Sequence, residues 1–94
     1  MSKFIYPAIF TREDNGQYSV DFPDVPHCYT GGDDVDDAVV MAEDVLALTL
    51  STLEDNGGIV PTISPVARHL NENQSIKLIA CDTDDYRKRL AANR

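Results

Sequence analysis

Within the stretch SVDFPDVPHCYTGGDD, residues 19–34, His27 stands beside Cys28 and four aspartates surround two glycines. A thiol next to an imidazole supplies the parts of a nucleophile–base pair, and gathered carboxylates supply the parts of a divalent-cation site. Adjacency argues against the first, because neighbouring side chains in an extended segment point to opposite faces. His69 could approach Cys28 in space, but no third, orienting residue is marked by a local signature. Zinc has four possible ligands in His27, Cys28, His69 and Cys81, without any paired C-x-x-C or H-x-x-x-H spacing. The run Asp33, Asp34, Asp36, Asp37 lacks the alternating ligands and terminal Glu of a calcium loop. Gly31-Gly32 is followed by no phosphate-loop Lys and belongs to no G-x-G-x-x-G. These residues predict scaffold: no catalytic residue, no metal and no cofactor.

The elements that carry them are readable from periodicity. Phe4 to Phe10 reads as a strand rich in aromatic and β-branched residues, with Pro7 pointing to an edge or a strand end. Asn15-Gly16 suits the positive φ angles of a tight hairpin. In QYSVDF, Tyr18, Val20 and Phe22 alternate with polar neighbours, the period-2 pattern of a half-buried strand. PDVP interrupts the ladder because neither proline donates a backbone hydrogen bond. His27 to Thr30 suits a short third strand, with Gly31-Gly32 as the swing into a helix. Asp34 is a good N-cap, and Asp37 three residues on imitates a capping box.

The helix is expected over Val35 to Asp55 and to stop at Asn56-Gly57-Gly58. Val35, Ala38, Val39, Ala42, Leu46, Leu50 and Leu53 recur at intervals of three or four and lay one apolar stripe against the sheet. Asp36, Asp37, Glu43, Asp44, Glu54 and Asp55 fall opposite, and Met41, Val45 and Leu48 widen the stripe on one flank. That flank is the expected oligomer contact. Ile59 to Asn73, with Pro61 and Pro65, reads as a returning loop. Ser75 to Cys81 follows as a strand, with Ile76, Leu78 and Ala80 on one face and Lys77, Ile79 and Cys81 on the other. A short helix from Asp84 to Ala92 is capped by Asp82 or Thr83. The order β-β-β-α-β-α predicts an α+β domain, a small antiparallel sheet with one long helix packed across it.

Charge distribution adds a partner class. The chain has 94 residues and a net charge of −8. Its twelve acids between Glu13 and Ala67 meet no Lys or Arg. The basic residues sit outside that span, at Lys3, Arg12, Arg68, Lys77, Arg87, Lys88, Arg89 and Arg94. Such a field repels nucleic acid and anionic membranes and draws a basic partner. No apolar run is long enough to span a bilayer and the N-terminus lacks a secretory pattern, so a cytoplasmic protein is expected. Two cysteines are too few for a disulfide framework.

YPAIF, followed by GQYSVDFPDVPHCYTGGDDVDDAVVMAEDVLAL, resembles the HicB-type antitoxin domain of bacterial toxin–antitoxin systems. That family's hallmark is F-P-D-x-P-G-C-x-T, then G-D and a helix with spaced alanines. Phe22, Pro23, Asp24, Pro26, Cys28, Thr30, Gly32, Asp33, Ala38 and Ala42 fall on the pattern. The match runs more loosely through the Pro61/Pro65 loop to Asp85-Tyr86-Arg87. His27 stands where Gly is usual, and Val35 where Thr is common.

The resemblance implies a partial ribonuclease-H-like fold without nuclease activity, over residues 1–82. Residues 83–94 would form a short C-terminal helix or tail, the possible start of a missing DNA-binding segment. Phe4 to Phe10 also holds no carboxylate for a two-metal nuclease, which leaves Asp21 and Asp82 without a first-strand partner. The implied function is non-catalytic: binding and neutralising a small basic HicA-type mRNA-cleaving toxin, as a homodimer or larger assembly, with no direct DNA binding. Asp24, Glu43, Asp44, Glu54 and Asp55 are the expected toxin contacts. The alternative is a HicB-like regulatory or scaffold domain that binds another protein.

Overall fold

The computed structural model describes residues 3–63 and 69–92. Four strands and two helices follow the order β1 (Lys3–Arg12), β2 (Tyr18–Asp21), β3 (Tyr29–Gly32), α1 (Val35–Asp55), β4 (Gln74–Asp82) and α2 (Thr83–Ala92). The strands form one antiparallel sheet in the order β3-β2-β1-β4, and α1 packs across one of its faces. The α+β expectation and the element order are as observed.

Alternation on the strands selects what enters the core. Tyr6, Ala8 and Phe10 from β1, Val20 from β2 and Ile79 from β4 point to the helix side and are buried. They meet Ala38, Ala42, Leu46 and Leu50 of α1. The alanines let the helix axis approach the sheet, and the leucines fill the space farther along. Lys77 also points to this side and lays its ammonium over the Phe10 ring, 5.8 Å from the centroid.

Local details differ from the sequence reading in instructive ways. Pro7 lies inside β1 rather than at its end. It pairs with Leu78 of β4 on one side, while the β2 register stops at Ile9. At Pro7 the strand therefore has one neighbour, which is the edge-like setting proline tolerates. The hairpin is looser than Asn15-Gly16 suggested. Gly16 N–H donates to the Glu13 carbonyl at 3.0 Å and Glu13 N–H to the Gln17 carbonyl at 2.8 Å. Only Gly16 takes a positive φ, +87°, so the turn is not the mirror-image type with two left-handed residues.

The PDVPHC segment turns twice, as Val25 N–H bonds the Phe22 carbonyl and Cys28 N–H the Val25 carbonyl at 3.1 and 3.3 Å. Phe22, Val25 and Cys28 are buried by it. Gly31 and Gly32 belong to β3 instead of forming a hinge. A β-carbon at Gly32 would lie 2.4 Å from the Ala38 nitrogen, so this glycine allows strand and helix backbone to touch.

Both ends of α1 follow their residues. Asp34 accepts from Asp37 N–H at 2.8 Å and Asp37 accepts from Asp33 N–H at 3.0 Å. At the other end, Gly57 at φ +69° lets Gly58 N–H reach the Leu53 carbonyl at 2.8 Å and Gly57 N–H the Glu54 carbonyl at 3.2 Å. That is a Schellman closure. Beyond it, Val60 packs on the core and the Tyr6 hydroxyl donates to the Pro61 carbonyl. Pro65, part of the expected loop, lies outside the described residues. Asp82 accepts from Asp85 N–H at 3.1 Å and starts α2, whose Thr83 and Tyr86 are buried.

Candidate partner-binding face

The outward side of α1 is a mixed surface of carboxylates and apolar side chains. Successive exposed positions Asp37, Met41, Asp44 and Leu48 stack one turn apart, with Asp36, Val40 and Glu43 beside them. Val40, Met41 and Leu48 are 60%, 41% and 48% exposed. Val45 differs from the other two members of the expected flank, being half-buried against the core.

Clefts open on both sides of Met41. One, of about 420 Å³, is lined by Glu43, Asp44, Asp82 and Asp85 together with Cys81 and Arg89. Its cation is committed, since Arg89 Nε lies 3.4 Å from Asp85 Oδ2. The other, of about 370 Å³, is lined by Glu13, Asp33 and Asp37 with Tyr18. Carboxylates from the β1–β2 turn, both ends of the first half of α1, β4 and α2 thus border one apolar ridge. A surface of this kind attracts and seats a cationic partner whose desolvated centre is apolar.

The five acids singled out from the sequence occupy three places. Glu43 and Asp44 are on this face. Glu54 and Asp55, at the end of α1, are held by Arg87, whose Nη2 lies 3.1 and 2.9 Å from their oxygens. The same nitrogen donates to the Ser51 carbonyl at 3.2 Å, and Nη1 lies 3.4 Å from Asp84. Asp24, half-buried in the proline turn, sits near Tyr6, whose phenol is pushed up by burial, then Cys81, then Asp24. Glu13, Asp82 and Asp85 escaped sequence reasoning. They are remote from α1 along the chain and carry no periodic signal; only the fold collects them.

The groups with chemical potential are quiet. Burial raises the Cys28 thiol, against a hydrogen bond with Thr49, and burial followed by the Asp82 charge raises Cys81 to about 11. Protonated thiols are poor nucleophiles. His27 is exposed in its turn and His69 is exposed in the loop. Among the described residues no group of three or more His, Cys, Asp or Glu is placed to hold a metal, and no helix is long and apolar enough to cross a membrane.

A small α+β domain with closed thiols and an acidic, ridged helix face has the make-up of a protein-binding module. Residues 6–89 match the family described as the HicB-like antitoxin of bacterial toxin–antitoxin systems, and the chain belongs to that family. It is similar to Antitoxin HicB 2 of Photorhabdus laumondii, 36% identical over 59 residues, 63% of this chain and 42% of that protein. The matched region thus spans less than half of that relative. In three dimensions it resembles the N-terminal domain of the Burkholderia pseudomallei antitoxin HicB, with TM-score 0.69 and 25% identity over 81% of this chain and 95% of that one. It also resembles a chain of a toxin–antitoxin complex from Streptococcus pneumoniae, with TM-score 0.77 and 22% identity over 89% of this chain and 72% of that one.

Proposed function

We propose that this chain neutralises a small basic HicA-type mRNA-cleaving toxin by covering its RNA-binding surface, and that it does so without catalysis. The observation that carries the reading is the gathering of Glu43, Asp44, Asp82 and Asp85 around an exposed Val40–Met41–Leu48 ridge. RNA-binding surfaces are cationic because they must pair phosphates. An acidic face competes for the same charges, and the ridge supplies the desolvated centre that gives a complex its lifetime. Family membership and the S. pneumoniae complex support the partner class. The same charges that suit a basic protein repel DNA, so the chain is read as not contacting an operator itself.

Met41 and Leu48 are assigned to the toxin rather than to self-association. Two copies meeting through this ridge would set Asp37, Glu43 and Asp44 against their own kind, and opposed like charges are costly.

The test is co-purification with a small basic HicA-like ribonuclease, followed by RNA cleavage with and without this chain. Cleavage is expected to stop at equimolar chain. The Glu43→Lys/Asp44→Lys variant should lose about tenfold or more in affinity at low salt and show a shallower salt dependence. Unchanged affinity on charge reversal, together with insensitivity to salt, would remove the electrostatic basis of the proposal.

A further inference from the structure

β4 is the last strand of the sheet, and only its β1 side is paired. Pro7 fixes which of its backbone groups face outward. In an antiparallel ladder, pairs that exchange both N–H···O bonds alternate with pairs that exchange none. Proline has no N–H to give, so Pro7 and Leu78, which lie opposite each other, form a pair of the second kind. The bond from Arg12 N–H to the Asn73 carbonyl, 2.9 Å, extends the same ladder and sets the same phase. Lys77 and Ile79 therefore bond β1, whereas Ile76, Leu78 and Ala80 turn N–H and carbonyl away from it. An edge is ordinarily blunted by proline, a bulge, an outward charge or a covering loop. β4 has no proline, and its register with β1 is unbroken. Its one basic residue, Lys77, leans inward over the Phe10 ring. Among the described residues no loop backbone bonds Ile76, Leu78 or Ala80.

We propose that an extended segment of the basic toxin adds to this edge as a fifth strand. The occupant's identity rests on the toxin reading; the open edge does not. Charge and continuity select this occupant. Ala80, Cys81 and Asp82, at the end of β4, line the 420 Å³ cleft together with Glu43, Asp44 and Asp85. A segment lying along β4 therefore meets carboxylates at that end and joins the face built on α1. The cleft's own cation, Arg89, is engaged by Asp85, while Glu43 and Asp44 have no ion pair among the described residues. Side chains of an added strand alternate between the two faces of the sheet. Those on the side away from α1 meet Ile76 and Leu78, which are 46% and 72% exposed. Those on the α1 side approach the cleft. The fitting segment is apolar at every second position, with Lys or Arg between them near the Asp82 end. In such an addition the backbone bonds supply affinity and the alternate side chains specificity.

Residue-resolved amide exchange of the full chain, alone and with a small basic HicA-like ribonuclease, tests it. In the free chain Lys77 and Ile79 should exchange slowly, and Ile76, Leu78 and Ala80 fast. In the complex those three amides should slow by about tenfold or more, while Lys77 and Ile79 stay protected. This readout needs no variant to fold. Leu78→Pro removes one outward N–H and spares the ladder with β1. It should keep the far-ultraviolet circular dichroism and bind the ribonuclease about tenfold more weakly. Leu78→Ala, which retains the backbone donor, should lose less. A complex in which the three amides still exchange fast overturns strand addition and leaves the toxin reading standing. Absence of any complex overturns both. Slow exchange of the three amides in the free chain overturns the proposal as well, and if it fades on dilution the edge belongs to a second copy.

Discussion

At His27 the backbone takes φ +60°, the one non-glycine residue in the left-handed region among those described. A β-carbon there costs roughly 1–2 kcal/mol, and the proline turn imposes it because Phe22, Val25 and Cys28 must all enter the core. That gives a physical reason for the glycine usual at this position in the family. His27→Gly should therefore stabilise the domain by about 0.5–1 kcal/mol after the entropy of the unfolded glycine is allowed for. Thermal unfolding followed by circular dichroism would show a midpoint several degrees higher, and His27→Val a lower one. Cys81 offers a second check. Its folded pKa of about 11 exceeds the unfolded value of 9.0, so the folded state holds the proton more tightly. The associated stability is complete below pH 9 and is lost as pH rises through about 11. Cys28 and Tyr6 shift in the same direction. The melting temperature should fall across that window, and Cys81→Ala should remove part of the fall.

The element that needs outside help is α1. Its last turn holds no basic residue and ends in Glu54-Asp55, negative charge at the negative end of the helix dipole. α2 supplies the missing cation through Arg87, which reaches both carboxylates and the Ser51 carbonyl. Arg87 lies in the middle of α2, whose own last turn holds Arg89, and so serves its neighbour's end. Arg87→Ala should lower the melting temperature, with the loss shrinking as salt is added because the ion pairs are half-exposed. Glu54→Gln/Asp55→Asn in the Arg87→Ala background should recover part of it. Equal losses at low and high salt would indicate that Arg87 acts through packing alone.

Across the whole molecule, exposed apolar side chains occur on both the α1 side and the far face of the sheet, and carboxylates are densest around α1. The α1 ridge is bordered by carboxylates from four parts of the chain, whereas on the far face of the sheet the apolar run of β1 and β4 meets a carboxylate at Asp21, beside Ile9, and at Asp82, opposite Lys3. Reversal at Glu43 and Asp44 should weaken the toxin complex while the far-ultraviolet circular dichroism and melting temperature of the chain stay unchanged.

The elements themselves were legible because each rests on local physics. Alternation set β2, spacing by three and four set α1, and Asp34 with Asn56-Gly57-Gly58 marked its ends, all within a few residues of one another. The family pattern was legible for the same reason, being a turn and a helix start written in contiguous residues. What required the tertiary structure was every relation between distant segments. Alternation in SIKLIAC divides Ile76 from Ile79 but does not say which enters the core; pairing with β1 decides it. Glu54 and Asp55 read as free surface charge until Arg87 reaches them from α2. Glu13, Asp82 and Asp85 join Glu43 and Asp44 only because the sheet and both helices converge on Met41. Local preference is encoded in neighbouring residues, whereas the composition of a face depends on which remote residues the core brings within a few ångströms.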